Sequence, residues 1–276
     1  MNRLFVAKKP IGVSSNHFLS RLKKKYNEKK AGFSGTLDPF AGGVLVVGMG
    51  QYTRLFNYLK KTPKIYQATI WLGAFCESGD NENITQIDIL PKFELSNLTN
   101  LVNLLTGKIT YTPPKYSAKK INSKRAYELA RSGVEFELKS CEMEIFEAEI
   151  LHYFHPFLSV RLSVSEGSYI RSWAEIFGKN LGINVTLSSL WRLKEGDMVF
   201  ENEKSLDPLK YLNLSLNEYF GDPNDVFLGK KLDIGDFKIQ KDGEFILKFK
   251  DFFSIIIISN NEINYKLNRI IYANTY

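Results

Sequence analysis

One carboxylate stands alone in the stretch GFSGTLDPFAGG, residues 32–43. Between Ala31 and Gly50 the chain has six glycines, one proline and a single charged side chain, Asp38. An acid in that setting has two readings. Asp before Pro commonly opens a turn, because Pro39 pushes Asp38 toward extended geometry and the carboxylate can close an Asx turn. A carboxylate that only shapes a turn can sit in any polar loop, however, whereas glycines here let a ligand or a second backbone approach closely. A carboxylate so placed suits covalent or acid–base chemistry. Two further side chains fall at informative places. Arg171 lies in the first turn of a predicted helix, where the helix dipole disfavours a cation unless a specific anion faces it. Tyr66 shares a strand face with core residues, so its ring can pack inside or floor a pocket at the core edge.

The net charge of +7 is concentrated before residue 221, because beyond it eight Lys/Arg balance eight Asp/Glu. Two dense runs hold much of it. Arg21, Lys23, Lys24, Lys25, Lys29 and Lys30 face only Glu28, and Lys115, Lys119, Lys120, Lys124, Arg125 and Arg131 face only Glu128. Charge runs are often no more than solvated helix faces. Tyr26, Tyr111, Tyr116 and Tyr127 lie beside them, and cations interleaved with rings suit nucleic acid, whose phosphates take the charge while its bases stack.

Other chemistries lack their motifs. Neither GxxxxGK[ST] nor GxGxxG occurs, and Gly48-Met49-Gly50 lacks both the lysine and the third glycine, so no nucleotide cofactor is indicated. Cys76, Cys141 and the histidines His17, His152 and His155 make no metal-ligand spacing. Two distant cysteines point to a reducing compartment and inert thiols. The start MNRLFVAKKP is too weakly apolar for a signal peptide, and the longest apolar run, FFSIIII, is far too short to span a bilayer. A cytoplasmic protein with no membrane association is expected.

The elements that must position these residues are legible as periodicity. Phe18, Leu22 and Tyr26 predict a helix capped by Ser14-Ser15-Asn16. Leu98, Leu101, Val102 and Leu105 predict a second, stopped by Gly107, and residues 123–131 before Gly133 a third. Strand alternation places Tyr66, Ala68, Ile70 and Leu72 on one face, and Val160, Leu162 and Val164 on another. The latter strand leads through SEGSYIRS into a helix with the stripe Ile170, Trp173, Ala174, Phe177 and Leu181, closed by Gly182. Strands and helices mix without strict alternation, which favours an α+β fold. After about residue 220, short β-like runs broken by GDPND, LDIGD, QKDG and SNNE suggest a small β unit, marginal alone and expected to lean on the main domain. Two domains are therefore expected, 1–220 and 221–276.

Six segments in order carry a resemblance to one family. GTLDPFAGGVLVVGMGQYTR resembles the G-[AT]-L-D-P-x-A-x-G-x-L core and G-x-x-T-[KR] ending of the bacterial tRNA pseudouridine-55 synthases, the TruB family. AKKPIGVSSN resembles that family's K-P-x-G-x-[ST]-S opening, and PKIYQATIWLG its K-x-Y strand. PPKYSAKKINSKRAYELARSG resembles its P-x-Y-S-A-x-K segment, EGSYIRSWAEIFGKNLG its G-T-Y-I-R helix, and LSSLWRLKEG its L-R-R-x-x-x-G. Together they cover residues 8 to 196.

The resemblance implies a pseudouridine synthase fold: a central mixed, mainly antiparallel sheet flanked by helices, an RNA-gripping insertion at about 107–140, and a reduced PUA-like β domain at the end. It implies cofactor-independent isomerisation of uridine 55 in the tRNA T loop by base flipping. Asp38 corresponds to the family's catalytic aspartate, Arg171 to the arginine that pairs with it and favours its ionised form, and Tyr66 to the tyrosine that stacks on the target base. Tyr169 and Leu190 correspond to pocket walls. Lys9, Lys115, Lys119, Lys120, Lys124, Arg125 and Arg192 are the cations expected to meet RNA. Phe33 replaces the usual histidine of G-H-T-G and is expected to fill the gap left by the flipped base by stacking. Asn122-Ser123 replaces a glycine. No metal, no cofactor and no obligate protein partner are implied; a monomer acting on the T-arm stem-loop is expected, with a catalytically silent tRNA-binding or folding protein as the alternative.

Overall fold

The computed structural model describes residues 1–117, 119–121 and 124–273. Its first elements are β1 Arg3–Lys9, α1 Ser15–Lys25, β2 Ala31–Ser34, β3 Gly42–Met49 and β4 Lys64–Leu72. A short pair, β5 Ala74–Phe75 and β6 Gln86–Ile87, precedes α2 Leu95–Leu104 and β7 Gly107–Tyr111. A second short pair, β8 Lys120–Ile121 and β9 Lys124–Arg125, precedes α3 Ala126–Arg131. The main part closes with β10 Cys141–Phe154, β11 Phe157–Val164, α4 Ile170–Leu181 and β12 Val185–Glu195. Beyond it come β13 Ser215–Asn217, α5 Pro223–Leu228, β14 Gly243–Lys248, β15 Phe252–Ser259 and β16 Glu262–Ile271.

The central sheet has the order β1-β3-β12-β4-β11-β10-β7, with β2 also paired to β3. Its pairs are antiparallel except at one place, where β12 and β3 run parallel through Trp191 opposite Gly42 and Arg192 opposite Gly43. The α+β expectation holds. Alternation along β4 buries Tyr66, Ala68, Ile70 and Leu72, and α4 lays Ile170, Trp173, Ala174 and Phe177 into the same core. The Trp173 indole N–H donates to the Leu105 carbonyl at 3.0 Å. That bond satisfies a buried donor and ties α4 to the end of α2. Gly182 ends α4 in the left-handed conformation.

Three expectations shift. In α1, capped by the Ser14 side chain, the fully buried apolar line is Leu19 and Leu22; Phe18 and Tyr26 flank it, packed against the same cluster. Gly107–Tyr111 joins the central sheet through β10, so the excursion that carries the second basic run spans residues 112–140. The third helix begins at Ala126; Ser123, where it was predicted to start, lies outside the described residues.

The second sheet, β13-β14-β15-β16, begins ahead of the composition shift near 220. Its isoleucine run faces two ways. Ile255 joins Leu4, Val6, Val44 and Val46 of the central sheet in one cluster, while Ile256 and Ile258 pack with Val226 and Phe237 in another. A strand buried on both faces needs apolar residues in succession, which explains the unbroken run.

The paired glycines after the Asp38 loop are required by the β3–β12 joint. Gly43 has φ +105°, and a Cβ there would stand 2.2 Å from the Arg192 carbonyl oxygen. Gly43→Ala is expected to lower unfolding stability by at least about 1–2 kcal/mol, from backbone strain alone, with the clash adding to it. Urea denaturation measures the loss; a midpoint equal to the parent's would show that the joint tolerates a side chain.

Candidate active site

Asp38 is displayed by a loop whose apolar residues anchor it. Leu37, Phe40 and Ala41 are buried in the central core, so the chain between them is held on both sides. The Asp38 carbonyl accepts from Ala41 N–H at 3.1 Å, the turn expected of Asp-Pro. The segment after β1 clamps the same loop. Ser15 Oγ donates to the Leu37 carbonyl at 2.8 Å and accepts from Leu37 N–H at 3.0 Å. Gly12 N–H donates to the Pro39 carbonyl at 2.8 Å. Backbone rather than the expected Asx side chain closes the turn, which leaves the carboxylate to face a cleft.

Across that cleft stands Arg171. Its Nη2 lies 2.9 Å from Asp38 Oδ2, with the arginine side chain 3% exposed and the aspartate 29%. Arg171 also donates from Nη1 to the Ser78 carbonyl at 2.7 Å and from Nη2 to the Tyr116 carbonyl at 2.8 Å. The guanidinium is therefore fixed by backbone on two sides, and the unfavourable place of a cation at a helix start is offset by three acceptors. Asp80, which periodicity did not single out, holds one of those sides in place. It is buried and accepts from Ser78 Oγ at 2.7 Å and Glu82 N–H at 3.1 Å. An acid in a glycine-bearing turn, ESGDN, was the available signal, the same one that marks Asp38.

Burial is the larger influence on the Asp38 carboxyl and pushes its pKa above the ordinary carboxylate range; Arg171 opposes this and Asp80 adds to it. Arg171 favours the ionised form, as expected of a paired guanidinium, but enclosure by the loop and the cleft walls is the larger influence. A reaction that needs the ionised acid is expected to lose rate on the acid side with a midpoint above about 3.9, the free aspartate value. A pH–rate profile measures this; a limb at or below that value would show that Arg171 outweighs burial.

The cleft, about 340 Å³ in volume, gathers Asp38, Tyr66, Tyr169, Arg171 and Leu190, with Lys119 and Arg125 at its edge. Such a volume is in the range of small-molecule pockets. Tyr66 and Leu190 are nearly buried, with only their edges reaching the cleft, while Tyr169 leans on Tyr111 with ring centroids 6.2 Å apart. Lys119 Nζ donates to Cys141 Sγ at 2.7 Å. Lys115 and Lys124 are exposed nearby. The side chain of Lys120 and the step Asn122-Ser123 lie outside the described part of the chain.

Three expected contacts are corrected. Lys9 is fully buried; its Nζ donates to the carbonyls of Pro10, Val13 and Pro39 at 2.9, 2.6 and 3.4 Å. Burial lowers its pKa to about 8, with Asp38 opposing and Arg192 assisting. Lys9 thus braces the Asp38 loop from behind, its ammonium committed to backbone carbonyls inside the fold. Arg192, 1% exposed, donates from Nε to the Val44 carbonyl and from Nη2 to the Gly35 carbonyl, each at 2.8 Å. Its donors are likewise committed inside. Phe33 is set by the pairing of β2 with β3 and packs against the Leu19–Leu22 cluster; it is not among the cleft residues.

A mixed sheet thus presents a carboxylate to an arginine between aromatic and aliphatic walls. Residues 23–170 match the model of the TruB family pseudouridylate synthase (N terminal domain), and the chain belongs to this family. A Campylobacter concisus protein called tRNA pseudouridine synthase B is 58% identical over 270 residues, covering 98% of this chain and 99% of the relative. A protein of the same name from Sulfurimonas denitrificans is 48% identical over 271 residues, with the same coverage. The crystal structure of a Cbf5-Nop10-Gar1 complex aligns over 98% of this chain and 84% of that one with TM-score 0.66 at 18% identity, which establishes a shared fold. Among the described residues, no helix is long and apolar enough to cross a membrane.

Proposed function

We propose that this chain converts uridine 55 in the T loop of tRNA to pseudouridine, without a cofactor or a second protein. The observation that carries the reading is the 2.9 Å pairing of Asp38 with Arg171 in a cleft walled by Tyr66, Tyr169 and Leu190. The reaction breaks the bond between ribose C1′ and uracil N1, turns the base, joins C1′ to C5, and moves the C5 proton to solvent while N1 regains one. Atoms and electrons balance without an oxidant. One carboxylate near the sugar suffices, either as nucleophile at C1′ or as base at C2′.

Among the cleft residues the other acid, Glu166, is half exposed and pairs with Lys61 at 2.5 Å; Asp38, paired with the buried Arg171, is the better-enclosed acid. A uracil can enter only after leaving its helix. Unstacking costs about a few kcal/mol, recovered by contact with Tyr66 and the aliphatic wall. Lys119 and Arg125 at the edge, with Lys115 and Lys124 beyond, supply sequence-independent attraction for the stem.

Unmodified tRNA labelled with tritium at uracil C5 tests the reading. Stoichiometric release of one tritium per tRNA by the purified chain alone is expected. Tight binding with no release would instead favour the silent tRNA-binding protein, and release only in the presence of a second protein would contradict autonomous action.

A further inference from the structure

Four cations lie buried around the cleft: Lys9, Lys64, Arg171 and Arg192. Three of them commit their donors to backbone carbonyls, as described above. Lys64 does not. Its ammonium makes no hydrogen bond among the described residues, and the one acid within 4 Å of it there is Glu195, whose Oε1 lies 3.5 Å away. Charge-assisted hydrogen bonds span about 2.7–2.9 Å, so this is a loose pairing.

Glu195 itself is fully buried and already engaged. Its Oε1 accepts from Ser34 Oγ, and its Oε2 stands 3.5 Å from Arg192 Nη2 without a hydrogen bond. One carboxylate therefore sits between two cations and satisfies neither closely. A buried ammonium without a close partner is costly to keep in a fold. The cluster is short of one anion, and Lys64 opens onto the cleft.

Position indicates what the anion is. Lys64 and Tyr66 point to the same face of β4, two residues apart, roughly 6.6 Å along the strand. A base lying on the Tyr66 ring carries its own sugar and phosphate at a comparable distance. The catalytic loop crosses this place at Gly35, where a Cβ would come within 2.6 Å of Lys64 Nζ and 2.9 Å of Arg192 Nη1. Only hydrogen fits there, so the loop passes close by both cations while Lys64 still lines the cleft. The cleft as a whole is lined by five cations, Lys64, Lys119, Arg125, Arg171 and Arg192, against two acids, Asp38 and Glu166.

We propose that Lys64 binds a backbone phosphodiester adjoining the target nucleotide, and so fixes the flipped residue over Asp38. This rests on the RNA-modifying reading above. Arg171 orients the acid, and Lys64 registers the strand.

The test uses the intact chain and T-arm stem-loops in which each phosphate flanking the target uridine is replaced in turn by a neutral methylphosphonate. Wild type is expected to lose about tenfold in kcat/KM at one such linkage. Lys64→Met is expected to lose about tenfold on the unmodified stem-loop, to lose nothing further at that same linkage, and to show a log–log salt slope shallower by about 0.7. Should Lys64→Met not fold, Lys64→Gln gives the same readout. Indifference of wild type to every neutralised linkage, or losses that multiply when variant and linkage are combined, would overturn the assignment. Failure of wild type to convert the unmodified stem-loop would instead strike the functional reading itself.

Discussion

Asp38→Asn is expected to reduce turnover at least about 10³-fold, the loss typical when a group that makes or breaks bonds is removed. RNA affinity should stay within about threefold, because it comes from cations and stacking. The substitution is nearly isosteric, and Arg171 keeps its bonds to the Ser78 and Tyr116 carbonyls. Stability separates this from a folding defect. Burial raises the folded-state pKa of Asp38, so its stabilising contribution belongs to the protonated form, is complete below the unfolded pKa, and is lost as pH rises through the folded one. Near neutral pH the ionised acid is then a burden on the fold. The asparagine variant should melt no lower than the parent; tritium release and a thermal scan on the same sample measure both. Residual turnover within tenfold of wild type would remove Asp38 from the chemistry.

Arg171→Met should cost about 10²–10³-fold in kcat, the range seen when one preorganised electrostatic partner is lost. It should also cost about 1–3 kcal/mol in stability, since the Ser78 and Tyr116 carbonyls lose their donor inside the protein. The two variants differ in pH response. Without the guanidinium, burial acts on Asp38 with only Lys9 opposing it and its pKa rises further, so raising the pH restores part of the activity of Arg171→Met. Asp38→Asn has no group to ionise and recovers nothing. Equal, pH-independent losses in both would mean that Arg171 does more than tune and orient the acid. Arg171→Lys should fall between, because an ammonium cannot reproduce the planar fork that meets two carbonyls and a carboxylate together.

Much of the scaffold is legible in local pattern. The alternation of β4 and the stripe of α4 place Tyr66 and Arg171 without further information, since period and burial coincide there. Asp38 is also visible as a candidate, an acid isolated among glycines. What local pattern hides is where long side chains end. Lys9 and Arg192 look like surface cations in basic segments, yet their burial depends on carbonyls at Pro39, Val44 and Gly35, which reach them only after the sheet assembles. Phe33 misled for a related reason: pairing of β2 with β3 directs its ring to the α1 side, and no local period reports that choice. The glycine pair at 42 and 43 proves to accommodate another strand as well as a cleft, because Trp191 and the Arg192 backbone press against it. Asp80 was missed because it holds a turn and lies in no motif of its own; Lys64 stands in the K-x-Y strand, but its burial beside Glu195 shows only once the sheet assembles.

The central claim is that one acid in this cleft rearranges one uridine of folded tRNA. Nucleotide-resolution mapping of pseudouridine on a full-length unmodified tRNA, after incubation with the purified chain, tests it most directly. A single new pseudouridine at position 55, present with wild type and missing with Asp38→Asn, is the expected result. Pseudouridine at other positions only, or a full signal at 55 with the asparagine variant, would contradict it.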